Sequence, residues 1–174
     1  KVLFDEAYPS EGISKKTIAK AIASFERTIV STESPFDRWV KGNKKAINKA
    51  AIRGFKIFEG KGRCASCHSG FNFSDDSFHN IGIKGATDPG RFGINKKMAS
   101  MGAVKTPTLR DISLTSPYMH NGKYKTLTQV IEHYDRGGDT KKNLSPLMAK
   151  LNLSKQDKKD LEVFLTSLTG KSIN

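Results

Sequence analysis

The chain contains two cysteines, three positions apart, with a histidine directly behind the second, in the run Cys64-Ala65-Ser66-Cys67-His68. Thiols at this spacing can add to the two vinyl groups on one porphyrin edge. The residue that follows is carried beneath the ring, where its imidazole can ligate iron. The run therefore reads as the attachment signature of a c-type haem, with Cys64 and Cys67 as thioether donors and His68 as proximal ligand. Other uses of a CxxC lack their usual company. A redox disulfide expects a βαβ context, which the chain does not show. A structural zinc site needs four ligands, and His79, His120 and His133 are not arranged as a partner knuckle.

The second axial ligand sets the potential and the chemistry. Met119, His133 and Tyr134 are the candidates. Met119 would give the common His/Met pairing, which raises the potential. Helical periodicity favours Tyr134, because it shares a face with Leu127, Val130 and Ile131 while His133 is rotated off that face. A thioether is soft and suits Fe(II); a phenolate is hard and anionic and suits Fe(III). The alternative for Tyr134 is a buried phenol bonded to a propionate. Arg91, Lys105 and Arg110 are candidates for pairing with the propionates.

These residues need a scaffold. Its composition, 36% hydrophobic in 174 residues, is lean for a self-sufficient core, and a covalent haem would supply apolar volume. Ser14 is a predicted N-cap, followed by Ile18, Ala21, Ile22, Phe25 and Ile29 at helical spacing. A second helix is predicted over 44–59, with Ala51 and Gly54 small enough for close approach of another helix or of the haem edge. Thr126 to Gln129 is a capping box opening a short helix that Gly137-Gly138 closes. Residues 144–152 read as a short helical piece. Ser154 caps a last helix carrying Leu161, Phe164, Leu165 and Leu168. Residues 1–13 read as an irregular lead-in and 69–125 as a long loop-rich stretch wrapping the site. No strand pairs are evident, so the expected class is all-α: a cytochrome c-like haem domain with long irregular loops. Trp39, the only tryptophan, is expected to pack.

The net charge is +13, but the lysines are interleaved with acids and form no basic stripe with aromatic platforms, which argues against nucleic acid. The surplus suits an acidic electron-donor or electron-acceptor protein. No run reaches the ~20 apolar residues of a membrane span. Attached haem implies maturation outside the cytoplasm, in the periplasm or an equivalent space. The chain is then expected to be processed or a fragment.

Beyond these local readings, the chain resembles the bacterial dihaem cytochrome c peroxidases and their MauG-like relatives. The resemblance is carried by residues 21–28 (AIASFERT), 34–39 (SPFDRW), Arg53-Gly54-Phe55 with Phe58, 64–70, 78–82 (FHNIG), 105–110 (KTPTLR), 114–122 (LTSPYMHNG) and 164–170 (FLTSLTG). It covers nearly the whole chain in family order. Members carry two haem motifs and this chain has one, so the resemblance implies the C-terminal haem domain. Residues 1–43 would then be a helical segment packing on or belonging to an N-terminal cytochrome c domain, and 44–174 the haem-binding domain.

The resemblance also implies a role. In the family peroxide reacts at the N-terminal haem, and the C-terminal haem passes electrons or stores oxidising equivalents. The expected enzyme is thus a peroxidase-type oxidoreductase working as a dihaem assembly, with the second haem on a partner domain or chain. The typical methionine ligand, a tyrosine in the MauG-like branch, falls at Tyr134. An interdomain calcium is held partly by main-chain carbonyls at positions that match Thr115 and Pro117. The alternative function is a monohaem electron-transfer cytochrome without turnover, though simple carriers are usually shorter.

Substituting both Cys64 and Cys67 by Ala is expected to leave no covalent haem, and either alone one thioether. A pyridine haemochrome spectrum of the denatured protein reads this directly; an unmodified protein without covalent haem would refute the assignment.

Overall fold

The structure, a computed structural model, describes residues 1–170; the last four positions of the domain expected over 44–174 lie outside the described residues. The chain forms two compact units, Lys1–Thr32 and Glu33–Gly170.

The first unit holds α1 (Val2–Ala7) and α2 (Lys15–Glu26). α1 replaces the expected irregular lead-in; six residues are too few to display a helical period. α2 begins at the predicted cap, where Ser14 Oγ accepts from the Thr17 N–H and Thr17 Oγ1 accepts from the Ser14 N–H. This satisfies two of the donors that a helix start leaves open. Ile18, Ile22 and Phe25 lie along α2 and are exposed, as is Ile29 just beyond it.

The second unit begins ahead of the boundary expected at 43, because 35–40 folds into α3 (Pro35–Val40), a helix the sequence reading did not predict. Ser34 and Asp37 cap it reciprocally, and Phe36 donates its backbone N–H to the Ser167 carbonyl. α4 (Lys49–Glu59) starts later than the predicted residue 44, since Asn48 Oδ1 accepts from the Ala51 N–H at 2.9 Å and sets the cap there. β1 (Phe78–His79), α5 (Phe92–Asn95) and β2 (Val104–Lys105) follow. The strands pair antiparallel, Phe78 opposite Lys105. This corrects the expectation of no strand pair: two residues per strand cannot show an alternation. α6 (Leu127–Asp135) and α7 (Lys155–Thr166) start at the predicted caps Thr126 and Ser154. Residues 144–152 are irregular, with one turn at 146–147, rather than the predicted helical piece. Asn143 and Asn152 take left-handed φ of 50° and 56°. Asp135 binds the N–H groups of Leu151 and Leu153 at 2.9 and 2.8 Å, through its main chain and its carboxylate respectively. The unit is otherwise the mostly helical domain expected, with a long irregular stretch between α4 and α6.

Its core is where α4 crosses α7. Gly54 makes the approach possible: a Cβ there would stand 2.0 Å from the Asp160 carbonyl oxygen. Beside it Arg53 forks onto Asp160, Nε–Oδ2 2.7 Å and Nη2–Oδ1 2.8 Å. Phe36, Phe55, Phe58, Phe73 and Phe164 fill the space behind with ring centroids 4.9–6.3 Å apart, in the tilted and edge-on arrangements aromatic pairs prefer. Gly54→Ala is expected to lower stability by about 1–3 kcal/mol or more, as overpacking does. Lys56→Ala, on the exposed side of the same helix, should be nearly neutral. Denaturant unfolding of the haem-loaded protein distinguishes the two.

Candidate functional site

After α4 the chain has to reverse tightly. The Gly62 N–H donates to the Ile57 carbonyl at 2.8 Å, and a Cβ at Gly62 would lie 2.7 Å from that oxygen. Residues Cys64–Ser66 then form one 3-10 turn, closed by N–H bonds from Cys67 and His68 to the Cys64 carbonyl at 3.2 and 2.9 Å. Both thiols and the imidazole line a cavity of about 520 Å³, within the ~300–1,000 Å³ usual for cofactor sites. Phe58, Leu127, Ile131, Leu161 and Leu165 give it an apolar wall.

Electrostatics follow from this wall. Burial pushes the Cys64 thiol up to about 12. Cys67 is also raised, by burial and then by the Asp75 carboxylate. Burial lowers His68, so its imidazole is held neutral. His68 Nδ1 donates to the Phe73 carbonyl at 2.8 Å, which leaves the Nε2 lone pair available, the arrangement seen in metal-binding histidines. The Tyr134 phenol is raised by burial and by the two thiols nearby, and among the described residues it has no hydrogen-bond partner. Two thiols free of any disulfide, a neutral imidazole oriented through Nδ1 and a phenol with no protein partner, all lining one apolar cavity, fit a covalently attached haem.

Most of the residues predicted for the site meet here. Tyr134, Met119 and Lys105 line the cavity, as do Thr115 and Pro117. Arg110 lines it too, but its guanidinium is committed: Nη1 and Nη2 to Asp37 at 2.9 and 3.1 Å, Nε to the Phe71 carbonyl at 2.8 Å. Arg91 is outside the lining and stacks on Phe78, 4.7 Å from the ring centroid. His133 is wholly buried off the lining, with Nε2 2.8 Å from the Ile81 carbonyl. Sequence reasoning assigned no role to His79 and Ser145, which also line the cavity. Ser145 Oγ lies 3.3 Å from His79 Nδ1, and His79 Nε2 lies 2.8 Å from Asp75 Oδ2. Burial raises Asp75, but hydrogen bonds from His79 and the Ser77 N–H outweigh it and hold the carboxyl at about 2. No sequence signal brings Ser145 to His79, since 66 positions separate them.

Comparison with known proteins gives the same outline. Residues 1–45 match the di-haem cytochrome c peroxidase family and residues 51–169 match cytochrome c. The methylamine utilization protein MauG of Methylorubrum extorquens is 44% identical over 172 residues, which cover 97% of this chain and 49% of that protein. Cytochrome c peroxidase Ccp of Escherichia coli is 34% identical over 98% of this chain and 36% of its own length. A solved MauG-like protein associated with microbial copper homeostasis superposes with a TM-score of 0.82 at 32% identity, over 97% of this chain and 57% of that one. The chain thus spans about half the length, or less, of these curated relatives.

The Asp37–Arg110 pair ties α3 to the cavity wall and makes stability depend on pH. Burial raises the Asp37 carboxyl, but bonds from Arg110 and Ser34 outweigh it and hold it below its ordinary value. A depressed carboxyl contributes fully above the unfolded value, about 3.9. The contribution is lost as pH falls through the depressed value. Asp37→Asn should therefore be less stable than the parent at neutral pH, and the gap should narrow as pH falls below about 4, read from denaturant unfolding across that range.

Proposed function

Because this chain belongs to the family of the dihaem cytochrome c peroxidases and MauG, and its cytochrome c domain binds haem c covalently, we propose that it is the C-terminal haem half of such an oxidoreductase. It passes electrons, or stores oxidising equivalents, for a peroxide-reactive haem on a partner domain or chain. The observation that carries the reading is one CxxCH cavity lined by a tyrosine with no protein hydrogen-bond partner among the described residues, in a chain matching about half of its MauG relative. The exposed Ile18, Ile22, Phe25 and Ile29 of the first unit support an N-terminal domain that would cover them.

The bound haem supplies one-electron Fe(III)/Fe(II) chemistry. Cys64 and Cys67 would hold it by thioethers. His68, oriented by the Phe73 carbonyl, would offer Nε2 to the iron. Tyr134 would offer its phenol oxygen as the second protein ligand, a hard donor that, as phenolate, would favour the ferric state. The apolar wall excludes water. Lys105 could meet a propionate by exchanging its bonds to Asp76 Oδ1 at 2.6 Å and the Thr106 carbonyl at 3.2 Å, a looser commitment than the three bonds that hold Arg110. A calcium at Thr115 and Pro117 completes the proposal. Among the described residues neither main-chain carbonyl accepts a hydrogen bond, so both are available to a cation. Covalent haem supports a periplasmic location, and the positive charge suits an acidic redox partner.

Tyr134→Phe should change the ferric spectrum and raise the potential, because an anionic ligand is lost; Met119→Leu should change little. The opposite pattern would make this an ordinary His/Met haem. With both axial positions filled by its own side chains, the isolated chain should reduce peroxide far more slowly than a complete dihaem enzyme. Comparable steady-state turnover would overturn the proposed division of labour.

A further inference from the structure

Tyr134 sits in the last turn of α6, a nine-residue helix, and Gly137-Gly138 follow at once. The turn itself is closed by its main chain, with the Gly137 N–H on the Tyr134 carbonyl at 2.9 Å and the Gly138 N–H on the His133 carbonyl at 3.1 Å, both glycines taking the left-handed φ that such a cap uses, 75° and 82°; this caps α6 but does not fix its end against the rest of the cavity wall. A side chain that must reach a fixed point in the cavity needs this end anchored, because small displacements of a ligand are costly.

The anchor is a buried polar network one residue away. His133 Nε2–H donates to the Ile81 carbonyl at 2.8 Å, which makes Nδ1 of the neutral ring an acceptor. The Tyr124 hydroxyl lies 3.2 Å from Nδ1 and 3.2 Å from Asp139 Oδ2. Arg136 Nη2 donates to that hydroxyl at 2.7 Å, while Arg136 Nε and Lys123 Nζ bind the Asp139 carboxylate at 2.8 and 2.7 Å. Ile81 is itself part of the cavity lining. The turn after α6 packs on the same segment: Asp139 and Thr140 donate their N–H groups to the Gly82 carbonyl at 2.8 and 3.1 Å. Two walls of the cavity are thereby joined through one imidazole.

We propose that His133 and Tyr124 are positioning residues for the distal side. They lock the end of α6 to the Ile81–Gly82 segment and so hold the Tyr134 oxygen at the iron. This rests on the reading of Tyr134 as ligand and adds what keeps it there.

The test uses the haem-loaded, full-length protein and reads the resonance-Raman bands of iron-bound tyrosinate beside haem content and far-UV circular dichroism. Tyr134→Phe should abolish the bands. Tyr124→Phe and His133→Ala should each weaken them at unchanged haem content, splitting the ferric population. His133→Gln should restore them, because its amide N–H can still reach Ile81 and its oxygen can accept from Tyr124. If His133→Ala fails to fold, Tyr124→Phe, which removes one oxygen atom, decides alone. Full tyrosinate bands in Tyr124→Phe and in any folded His133→Ala, with loss in Tyr134→Phe, would overturn the positioning role and leave the ligand standing. Unchanged bands in Tyr134→Phe would overturn the ligand assignment and this inference together.

Discussion

The contact on which the haem unit depends is the close crossing of α4 and α7 at Gly54. Interiors pack like organic crystals, so removing one Cβ decides how near two helices can come. Here the missing Cβ lets the Asp160 carbonyl approach the α4 backbone, and the Arg53–Asp160 fork fixes the crossing laterally. Asp160 is almost fully buried while Arg53 is about half exposed. The pair therefore specifies register more than it stabilises, because much of its attraction is screened. The end of α4 is thereby fixed, and the CxxCH turn follows within a few residues. α7 contributes Leu161 and Leu165 to the same cavity. One crossing thus positions both the attachment turn and the wall opposite.

The cavity is built from groups that burial keeps uncharged. Two thiols and a phenol are pushed up and an imidazole is pushed down, in each case first by desolvation. An apolar pocket of this kind is poor company for isolated charges. It suits a large planar group whose own charge is paired; Lys105, His79 and Ser145 supply the polar part of the lining. The aromatic cluster behind Phe58 and Phe73 is dry packing and gives the pocket a rigid back.

Much of this was legible in the sequence. Caps announced themselves: Ser14, Thr126 and Ser154 begin α2, α6 and α7 where their side chains predicted, because a capping residue states its own geometry. Elements too short to have a period did not: α1, α3 and the two-residue strands carry no repeat to read. Over 144–152 the apolar residues Leu144, Leu147, Met148 and Leu151 imitate a helical stripe. The backbone is drawn instead to Asp135, and the apolar side chains Leu147, Met148 and Leu151 line the cavity. In the site, the attachment run and the lining face of α6 were readable because they are local. The commitment of Arg110 to Asp37, 73 positions away, and the pairing of His79 with Ser145 were not. Such contacts belong to the packed chain alone.

The neighbouring pair His133 and Tyr134 shows how much rests on one cap. Thr126 fixes the first residue of α6, and from there the helical period decides which side chain faces the cavity. A slip of one residue would bring His133 inward. The two outcomes differ in their polar accounting. His133 finds the Ile81 carbonyl and Tyr124, so its burial leaves neither nitrogen stranded. Tyr134 is only half-buried and lines the cavity, and its hydroxyl has no protein partner among the described residues. The protein thus satisfies the imidazole from within, and leaves the phenol without a protein partner in the cavity lining, where a bound group could meet it.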